Sequence, residues 1–540
     1  MSLLEDRRQD DVPVSVERRY SRLSAQPWGW ALYWAALTAA FAGLALWLLS
    51  RHYLNDTALW SWSTVVGSMD APQGGFNRFV LLYPQVQYYL LTVLALMPGL
   101  KSPQMSYFIS AAAAAGLLTH FTIRLRRIGV PPPMIVLVVA LIALNPVFLW
   151  SATNGGNEML GISLYYGLGL SMIVLRYSHS LHAHMMLGLV LLLFFITDAR
   201  SLYLAITLLP LLPLTVQKHI LRLNPVAPIL VLYCPLLFMI GIWLALNWIY
   251  TGDSLAFLKD PASPFLGARI SSEYLPWRAT FGTQFWSATA ISAMLLAICY
   301  PVLLLVQLPS VRRSRVYAAG LALAAMPVFA SGLATWAEFT QSPADILVFV
   351  IGGVMALLTT GMLMRDHPVL LAALLAAGCI GSLALFQRYP AVGMNGWFEA
   401  LAGRIEQSPH EGDLELGLWS REVRGLMLDE NTGYAVIGAR GSGEGLYLTF
   451  SDRFKQSVNA GRLVAEWVAV PSPERDASHR DQVAHNFPHL YNEGIAGYTL
   501  AYDRDGWRVY ASEDTWNGVL HQRGHTKDSL DEKPKPVAND

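Results

Sequence analysis

Long apolar runs separated by short polar segments fill most of the chain between residues 28 and 386. A helix needs roughly 20 apolar residues to cross a bilayer, because its backbone polar groups must be satisfied internally. Six runs approach that length: Trp28–Leu49, Met134–Trp150, Val226–Leu246, Trp286–Val306, Ile346–Met364 and Pro368–Phe386. Five more are shorter or less uniformly apolar: Ser106–Ile123, Glu158–Leu175, His184–Thr197, Ser201–Val216 and Val316–Ala334. The pattern predicts a polytopic α-helical membrane protein with about 11 transmembrane helices.

The stretch Phe79–Leu100 decides which ends of these helices face the cytoplasm. Its first half contains several tyrosines and glutamines and a proline, so it fits the membrane interface better than the bilayer core. At the interface, it leaves the arginine-rich segments 124–127 and 312–315 in the cytoplasm, where Lys and Arg accumulate. If it crosses instead, every later helix changes direction. We predict the interfacial arrangement, in the cell membrane, with the N-terminus cytoplasmic and the C-terminus outside.

Beyond Phe386 the sequence changes to short alternating segments that are typical of a soluble α+β domain. Strands are predicted at Gly433–Gly438, Gly445–Phe450, Leu463–Val470, Ile495–Tyr502 and Gly506–Ala511, and helices at Ser451–Asn459 and Asp481–Tyr491. The glycine-rich segment 439–448 predicts a hairpin turn between the first two strands. We expect a cytoplasmic tail at 1–27, a membrane domain at 28–386, an extracytoplasmic α+β domain at 387–520 and a disordered tail at 521–540.

Composition supports a membrane protein and disfavours two other classes. Apolar residues make up 54% of the 540 residues and charged residues only 14%, a balance that soluble domains rarely have. The formal net charge is zero, so nothing indicates a nucleic-acid partner. Cys234, Cys299 and Cys379 all fall within predicted helices, so neither a disulfide nor a zinc site is expected. The arginine-rich N-terminal tail fits contacts with anionic membrane lipids.

Acidic residues gather in the predicted outer loops. Asp56 follows the first span within HYLNDTALWSW, where a carboxylate would meet both a lipid-borne substrate and an acceptor from water. Helix capping or plain solvation is its alternative role. Glu158 opens a predicted helix after the turn Asn154–Asn157, where the helix dipole alone would favour an acid. Asp198 and Arg200 lie between two short apolar runs, where they either line a polar cavity or pair with each other.

A long polar loop precedes the span at Trp286. It begins at Asp253, contains Lys259, Arg269 and Arg278, and runs for over 30 residues with little helical periodicity. Loops of this length are usually functional lids or disordered segments. Its aromatic content favours a lid.

Several weak motifs, taken in chain order, resemble a known superfamily. They are an acid just after the first helix, then YPQVQYYLL, a helix ending in RLRRIG, NPVFLWSATNGGNEM, TDARSLYLA and NWIYTGDSLAFL. Across about residues 28 to 386 this series resembles the GT-C superfamily of polyprenyl-phosphate-sugar-dependent glycosyltransferases, including its mannosyltransferase-like members. The resemblance implies a GT-C-like membrane domain, a sugar donor carried on a polyprenyl phosphate, and a glycan, lipid or protein acceptor on the extracytoplasmic face.

The resemblance also implies roles for individual residues. Asp56 matches the first-loop general base, Glu158 the second-loop acid, and Tyr83 the tyrosine of a tyrosine-proline element. The cations expected to bind the donor phosphate are Arg200, Arg269, Arg278, Arg78 and Lys259, and the residues expected to line the cavity are Asp198, Tyr83, Asn154, Asn157 and Asp253. Many relatives carry an acidic pair where this chain has Asn55-Asp56. We therefore predict no metal ligands, while use of a divalent cation stays open.

Two other functions compete with glycosyl transfer. A transporter is expected to carry charges near the bilayer midplane and paired broken helices in its two halves, and neither is indicated by the sequence. A non-catalytic assembly subunit of an envelope-polysaccharide system would use the outer domain for docking, and the departure at Asn55-Asp56 keeps that alternative open. Our leading expectation is an inverting membrane glycosyltransferase.

Overall fold

The computed structural model describes most of the predicted membrane region and part of the C-terminal region. The described residues are 27–51, 53, 55, 58, 61, 62, 65, 85–97, 100, 104–177, 181–216, 222, 224, 226–255, 285–312, 314, 316–337, 343–389, 394–402, 437–438, 446–447, 460, 467–471, 489–494, 496–504, 507–513 and 517. Outside them lie the predicted tail 521–540, the predicted helix Ser451–Asn459, and the site candidates Asp56, Arg78, Tyr83, Lys259, Arg269 and Arg278.

Helices account for most of the described residues. The first nine are α1 (Pro27–Ser50), α2 (Gln85–Ala95), α3 (Met105–Arg127), α4 (Pro132–Ala143), α5 (Pro146–Thr153), α6 (Glu158–Tyr177), α7 (Leu181–Thr197), α8 (Ser201–Thr215) and α9 (Val226–Thr251). They are followed by α10 (Phe285–Cys299), a 3₁₀ helix (Pro301–Gln307), α11 (Pro309–Arg312), α12 (Val316–Trp336), α13 (Ala344–Leu347), α14 (Val350–Leu358), α15 (Met362–Asp366), α16 (Pro368–Phe386) and α17 (Met394–Ala402).

Among the described residues, six helices are long and apolar enough to cross a membrane. They are Trp28–Ser50, Met105–Arg127, Glu158–Arg176, Val226–Tyr250, Val316–Trp336 and Pro368–Phe386. The number rises to 8 when each of two bent helix pairs is counted as one span. The prediction of a polytopic, multi-pass helical membrane protein is confirmed at this level. The finer count of 11 spans made from the sequence stays a prediction.

Three of the six longest apolar runs are not continuous helices. α4 meets α5 at an angle of 67°, and α10 meets the 3₁₀ helix at 95°. These breaks precede Pro146 and Pro301, which have no N–H to donate to the helix ladder. The run Ile346–Met364 is divided among α13, α14 and α15. Hydropathy located the runs but not their breaks, because backbone hydrogen bonding decides where a helix continues.

One end of the helix assembly is basic. The Arg126 guanidinium lies over the Trp30 ring, 5.1 Å from its centroid, which brings the end of α3 to the start of α1. The Arg176 guanidinium donates from Nη1 to the Val216 carbonyl at 3.0 Å, which brings together the ends of α6 and α8. The basic end is therefore formed by the C-terminal turns of α3 and α6 and the chain that leaves α8.

The opposite end of the same helices is acidic. There Ala45, near the end of α1, packs against Tyr107 at the start of α3, so these two helices run antiparallel. The starts of α6 and α8 lie at this end because their last turns lie at the other. We call it the acidic end, and its buried carboxylates are Glu158, Asp198 and Asp345.

The C-terminal region contains an antiparallel sheet with the strand order β2-β1-β3-β5-β4. Its strands are β1 (Ile437–Gly438), β2 (Leu446–Tyr447), β3 (Trp467–Pro471), β4 (Tyr498–Arg504) and β5 (Trp507–Ser512). Each overlaps one of the predicted strands, and Ile437 pairs with Tyr447, as the predicted hairpin requires. A short helix, α18 (Leu490–Glu493), lies beside the sheet, where its Leu490 carbonyl accepts the Tyr510 hydroxyl at 2.8 Å. The sheet is confirmed, while its extracytoplasmic position stays a prediction.

Candidate functional site

The turn between α5 and α6 is built by its own side chains. The Asn154 side chain accepts the Gly156 amide at Oδ1, 2.9 Å away, and donates from Nδ2 to Glu158 Oε2, also at 2.9 Å. Asn154 and Glu158 are both buried, at 0% and 6% exposure. The sequence NGGNE therefore forms a tight polar turn that holds the carboxylate at the first turn of α6, as the sequence predicted for the helix start.

The loop that follows α1 meets this turn directly. Gly155 has a φ of +72°, which glycine adopts without strain, and a Cβ there would lie 3.0 Å from Ala58 Cβ and 3.1 Å from the Tyr107 ring. Asn55, 1% exposed, donates its backbone N–H to Tyr107 Oη at 3.1 Å. Asp56 lies outside the described residues, but its neighbour Asn55 is anchored where the first loop approaches the 154–158 turn.

Arg200 is the electrostatic centre of the acidic end. Its Nε donates to both carboxylate oxygens of Asp198, at 2.9 and 3.1 Å, and its Nη2 lies 2.5 Å from Asp198 Oδ2. Nη2 also reaches Glu158 Oε1 at 3.4 Å, and Nη1 donates to the Asp345 carbonyl at 3.1 Å. The guanidinium lies over the Phe349 ring, 4.8 Å from its centroid. These contacts join α6, α8 and α13, which are far apart in sequence.

Asn157 closes the cluster from the other side. Its Nδ2 donates to the Thr197 carbonyl at 3.0 Å and to Asp198 Oδ2 at 3.1 Å. The side chain, 8% exposed, therefore ties the start of α6 to the end of α7. Asp198, at 2% exposure, therefore accepts hydrogen bonds from both Asn157 and Arg200, as a buried polar group requires.

Arg200 lies among three buried carboxyl groups. Burial by itself disfavours the charged form of Arg200, but the neighbouring Asp198, Glu158 and Asp345 outweigh it and raise the pKa of Arg200 above its usual value. The guanidinium stays protonated at every physiological pH. The cluster therefore combines one described guanidinium with the carboxyl groups of Asp198, Glu158 and Asp345.

Gln87 belongs to the same site and was not singled out from the sequence. Its Nε2 donates to the Gly155 carbonyl at 2.8 Å, while Oε1 has no hydrogen-bond partner among the described residues. The side chain is fully buried, at 0% exposure. A buried acceptor without a partner costs free energy, so this oxygen can accept a further hydrogen bond. The available signal was a second glutamine, two residues after Gln85, near the start of α2.

The structure gathers five of the predicted site residues. Gathered at the acidic end are Glu158, Asp198, Arg200, Asn154 and Asn157. Asp253 follows α9, where its Oδ1 accepts the Leu255 amide at 3.0 Å. Asp198 and Arg200 pair with each other, the alternative left open from the sequence. Asp345 was not among the predicted site residues, and its backbone carbonyl proves to be a partner of Arg200.

Six site candidates stay predictions because they lie outside the described residues: Asp56, Arg78, Tyr83, Lys259, Arg269 and Arg278. Within the described part of the chain, no group of three His, Cys, Asp or Glu side chains is arranged to hold a metal ion. Use of a divalent cation therefore stays open.

Comparison with known proteins adds no relative to this picture: no family model matches the chain, and no curated protein is significantly similar to it. The likeness to the GT-C superfamily rests on the ordered motifs alone. This chain is a multi-pass helical membrane protein with a buried polar cluster at one end of its helices.

Proposed function

We propose that the chain is a membrane glycosyltransferase that moves a sugar from a polyprenyl-phosphate carrier to an acceptor at the acidic end. The observation that carries the proposal is the meeting of three separate motifs in one place. Ala58 of the first loop approaches Gly155 of the second, and Arg200 of the third is bonded to Glu158 of the second. The resemblance to GT-C enzymes requires such a meeting, since it assigns the base to the first loop and a second acid to the second loop.

The chemistry needs one base and a stabilised leaving group. In the proposal Asp56 removes the proton from an acceptor hydroxyl, whose oxygen forms a bond to the anomeric carbon of the donor. The bond from that carbon to the phosphate oxygen breaks, and the polyprenyl phosphate leaves with the electron pair, inverting the configuration. A well-placed carboxylate contributes roughly 10² to 10⁴ in rate as a general base.

Glu158 and Arg200 are better suited to holding the site than to reacting within it. Both oxygens of Glu158 are bonded, Oε2 to Asn154 and Oε1 to Arg200. Arg200 uses four of its five N–H groups on Asp198, Glu158 and the Asp345 carbonyl, which leaves one for a donor phosphate. In the proposal the cations of the 253–286 loop supply the remaining phosphate contacts.

The proposal includes a complete topology. Beyond the six long helices and two bent pairs, three shorter apolar helices, Leu181–Thr197, Ser201–Thr215 and Ala344–Leu358, would also cross, giving the expected 11 passes. α2 has 11 residues, about 16 Å at 1.5 Å per residue, too short for a bilayer core of about 30 Å. It would lie at the interface, with the acidic end extracytoplasmic.

Transfer of radiolabel tests the proposal. Purified protein in lipid vesicles is given a polyprenyl-phosphate sugar and a panel of glycan, lipid and protein acceptors, beside the variants Asp56→Asn and Asp366→Asn. Asp366, exposed near the basic end, is the matched control. We expect transfer by the wild type and by Asp366→Asn, and a loss of at least 10²-fold in Asp56→Asn. Transfer at an undiminished rate by Asp56→Asn, or none by a folded wild type with any donor, would contradict the proposal.

One observation favours the competing transporter class, but the size of the cavity disfavours it. Two interrupted helices do meet inside the membrane region, as transport sites require, but the space at their junction is about 20 Å³. That is room for a single water-sized molecule and not for a sugar. An assembly subunit stays the alternative that the absence of transfer would favour.

A further inference from the structure

The two broken helices meet on the same part of α16. The α4–α5 break lies at Leu144 and Asn145, and the other lies at Tyr300, between α10 and the 3₁₀ helix. Asn145 Nδ2 approaches Ser382 Oγ of α16 at 3.5 Å, and Ser382 Oγ donates to the Cys299 carbonyl at 3.4 Å. One serine on α16 therefore contacts both breaks.

α16 supplies donors to carbonyls beside the breaks. Pro146 and Pro301 cannot donate to the helix ladder, so each break leaves carbonyl groups without their usual partners. Cys379 Sγ donates to the Leu141 carbonyl at 3.2 Å, and Ser382 donates to that of Cys299. In a membrane interior such carbonyls need a partner from the protein or from bound water.

The close approach depends on glycine. A Cβ on Gly378 would lie 2.8 Å from the Cys299 carbonyl oxygen, and one on Gly381 would lie 2.3 Å from that of Ile298. Neither distance is compatible with a side chain. α16 therefore presses its backbone against the second break, and the two glycines form a surface that fits it.

A small cavity lies at this junction. It is lined by Asn145, Tyr300, Pro301 and Gly378, among others, and measures about 20 Å³. Tyr300 is 3% exposed, and its hydroxyl has no hydrogen-bond partner among the described residues. Asn145 is 5% exposed, and both contacts of its Nδ2, to Ser382 at 3.5 Å and Cys379 at 4.0 Å, are long. Two buried polar groups beside the cavity thus have hydrogen-bonding capacity left.

We propose that this cavity is a binding site for one water molecule, which bridges the Tyr300 hydroxyl and the Asn145 side-chain amide at the junction of the two broken helices. The cavity volume limits the ligand to one water molecule, since a water needs at least about 10 to 15 Å³ of cavity volume. The lining residues determine the class of ligand, because none of them is a carboxylate that would hold a cation. The water would link two helices whose backbone hydrogen-bond ladders are interrupted.

The substitution Tyr300→Phe tests whether the Tyr300 hydroxyl binds a water molecule. If a water bridges Tyr300 and Asn145, removing the hydroxyl breaks the bridge and the thermal midpoint of the purified protein falls. Without a water, the change removes a buried group that has no partner, and the midpoint stays the same or rises. Tyr165→Phe is the matched control, because Tyr165 is fully buried and its hydroxyl donates directly to the Leu323 carbonyl at 2.9 Å.

The expected result is a fall in Tyr300→Phe of about the same size as in Tyr165→Phe. A structure of the wild-type protein at a resolution that shows water should then contain one within hydrogen-bond distance of the Tyr300 hydroxyl. An unchanged or higher midpoint in Tyr300→Phe, or a junction with no density for a water, overturns the proposal.

Discussion

The Trp397 indole donates its N–H to Thr153 Oγ1 at 3.0 Å, which joins α17 to the last residue of α5. Thr153 directly precedes Asn154, the first residue of the turn that holds Glu158. Trp397 is 1% exposed, and the Arg51 guanidinium contacts the carbonyl of Ala400 on the same helix at 3.4 Å. The segment that follows the last apolar span therefore returns to support the candidate site.

Replacing Trp397 by Phe should weaken the site without abolishing the fold. The variant loses a buried neutral hydrogen bond, worth about 0.5 to 1.5 kcal/mol, and part of its packing. We expect a lower thermal midpoint and, under the proposed function, slower glycosyl transfer. Trp28→Phe is the control, since Trp28 is 80% exposed. Equal midpoints and rates in the two variants would show that α17 does not support the site.

Removing the charge of Arg200 should be among the most damaging single changes in the chain. Arg200→Gln leaves Asp198 and Glu158 buried without their cation, a loss of about 3 to 5 kcal/mol for a broken buried ion pair. Chemical unfolding in detergent measures this loss, and Arg365→Gln, exposed near the basic end, serves as the control.

A double variant that also changes Asp198 gives a further check on the role of Arg200. Adding Asp198→Asn to Arg200→Gln removes one of the stranded charges, so the double variant should recover part of the lost stability. If the double variant is less stable than Arg200→Gln, the stability of the cluster does not come from this ion pair.

Gly155→Ala should misplace the turn that carries Glu158. The left-handed backbone conformation at φ +72° costs an alanine roughly 1 to 2 kcal/mol, and its Cβ would press on Ala58 and Tyr107. We expect a lower midpoint and reduced transfer. Gly241→Ala is the control, because nothing lies within 4 Å of a Cβ there and alanine favours a helix interior. A Gly155→Ala protein with unchanged activity would show that the first and second loops need not be in close contact.

The C-terminal sheet should lose stability at alkaline pH. The Tyr510 hydroxyl donates to the Leu490 and Tyr491 carbonyls at 2.8 and 3.1 Å, and burial raises the pKa of Tyr510 above its usual value. The unfolded chain thus releases this proton first. The stabilisation is complete below the unfolded pKa of about 10 and declines as the pH rises towards the folded pKa.

Hydrogen exchange across β4 and β5 measures this effect at pH 9 and pH 11, after correction for the intrinsic exchange rates. Tyr510→Phe has no proton to lose and should show the smaller change in protection between the two pH values. An identical change in both proteins would assign the alkaline effect to other groups.

Local patterns predicted much of the fold. Glu158 does open a helix, each of the five predicted strands overlaps an observed strand, and the apolar runs are helical. These features depend on neighbouring residues, through helix caps, side-chain alternation and the length of an apolar stretch. The breaks at Asn145 and Tyr300 were missed, although each residue precedes a proline. An apolar run conceals an interruption because hydropathy does not register a missing N–H.

Chain composition and the lengths of the apolar runs were enough to show that this is a multi-pass helical membrane protein, because the cost of placing a segment in lipid depends on that segment's own residues. Long-range packing alone brought Asn157, Asp198 and Asp345 around Arg200 and joined two broken helices on α16. A charge in a low-dielectric interior is stable only beside its partners, and those partners come from helices that are distant in the chain. Spacing along a sequence carries no record of which helices will become neighbours.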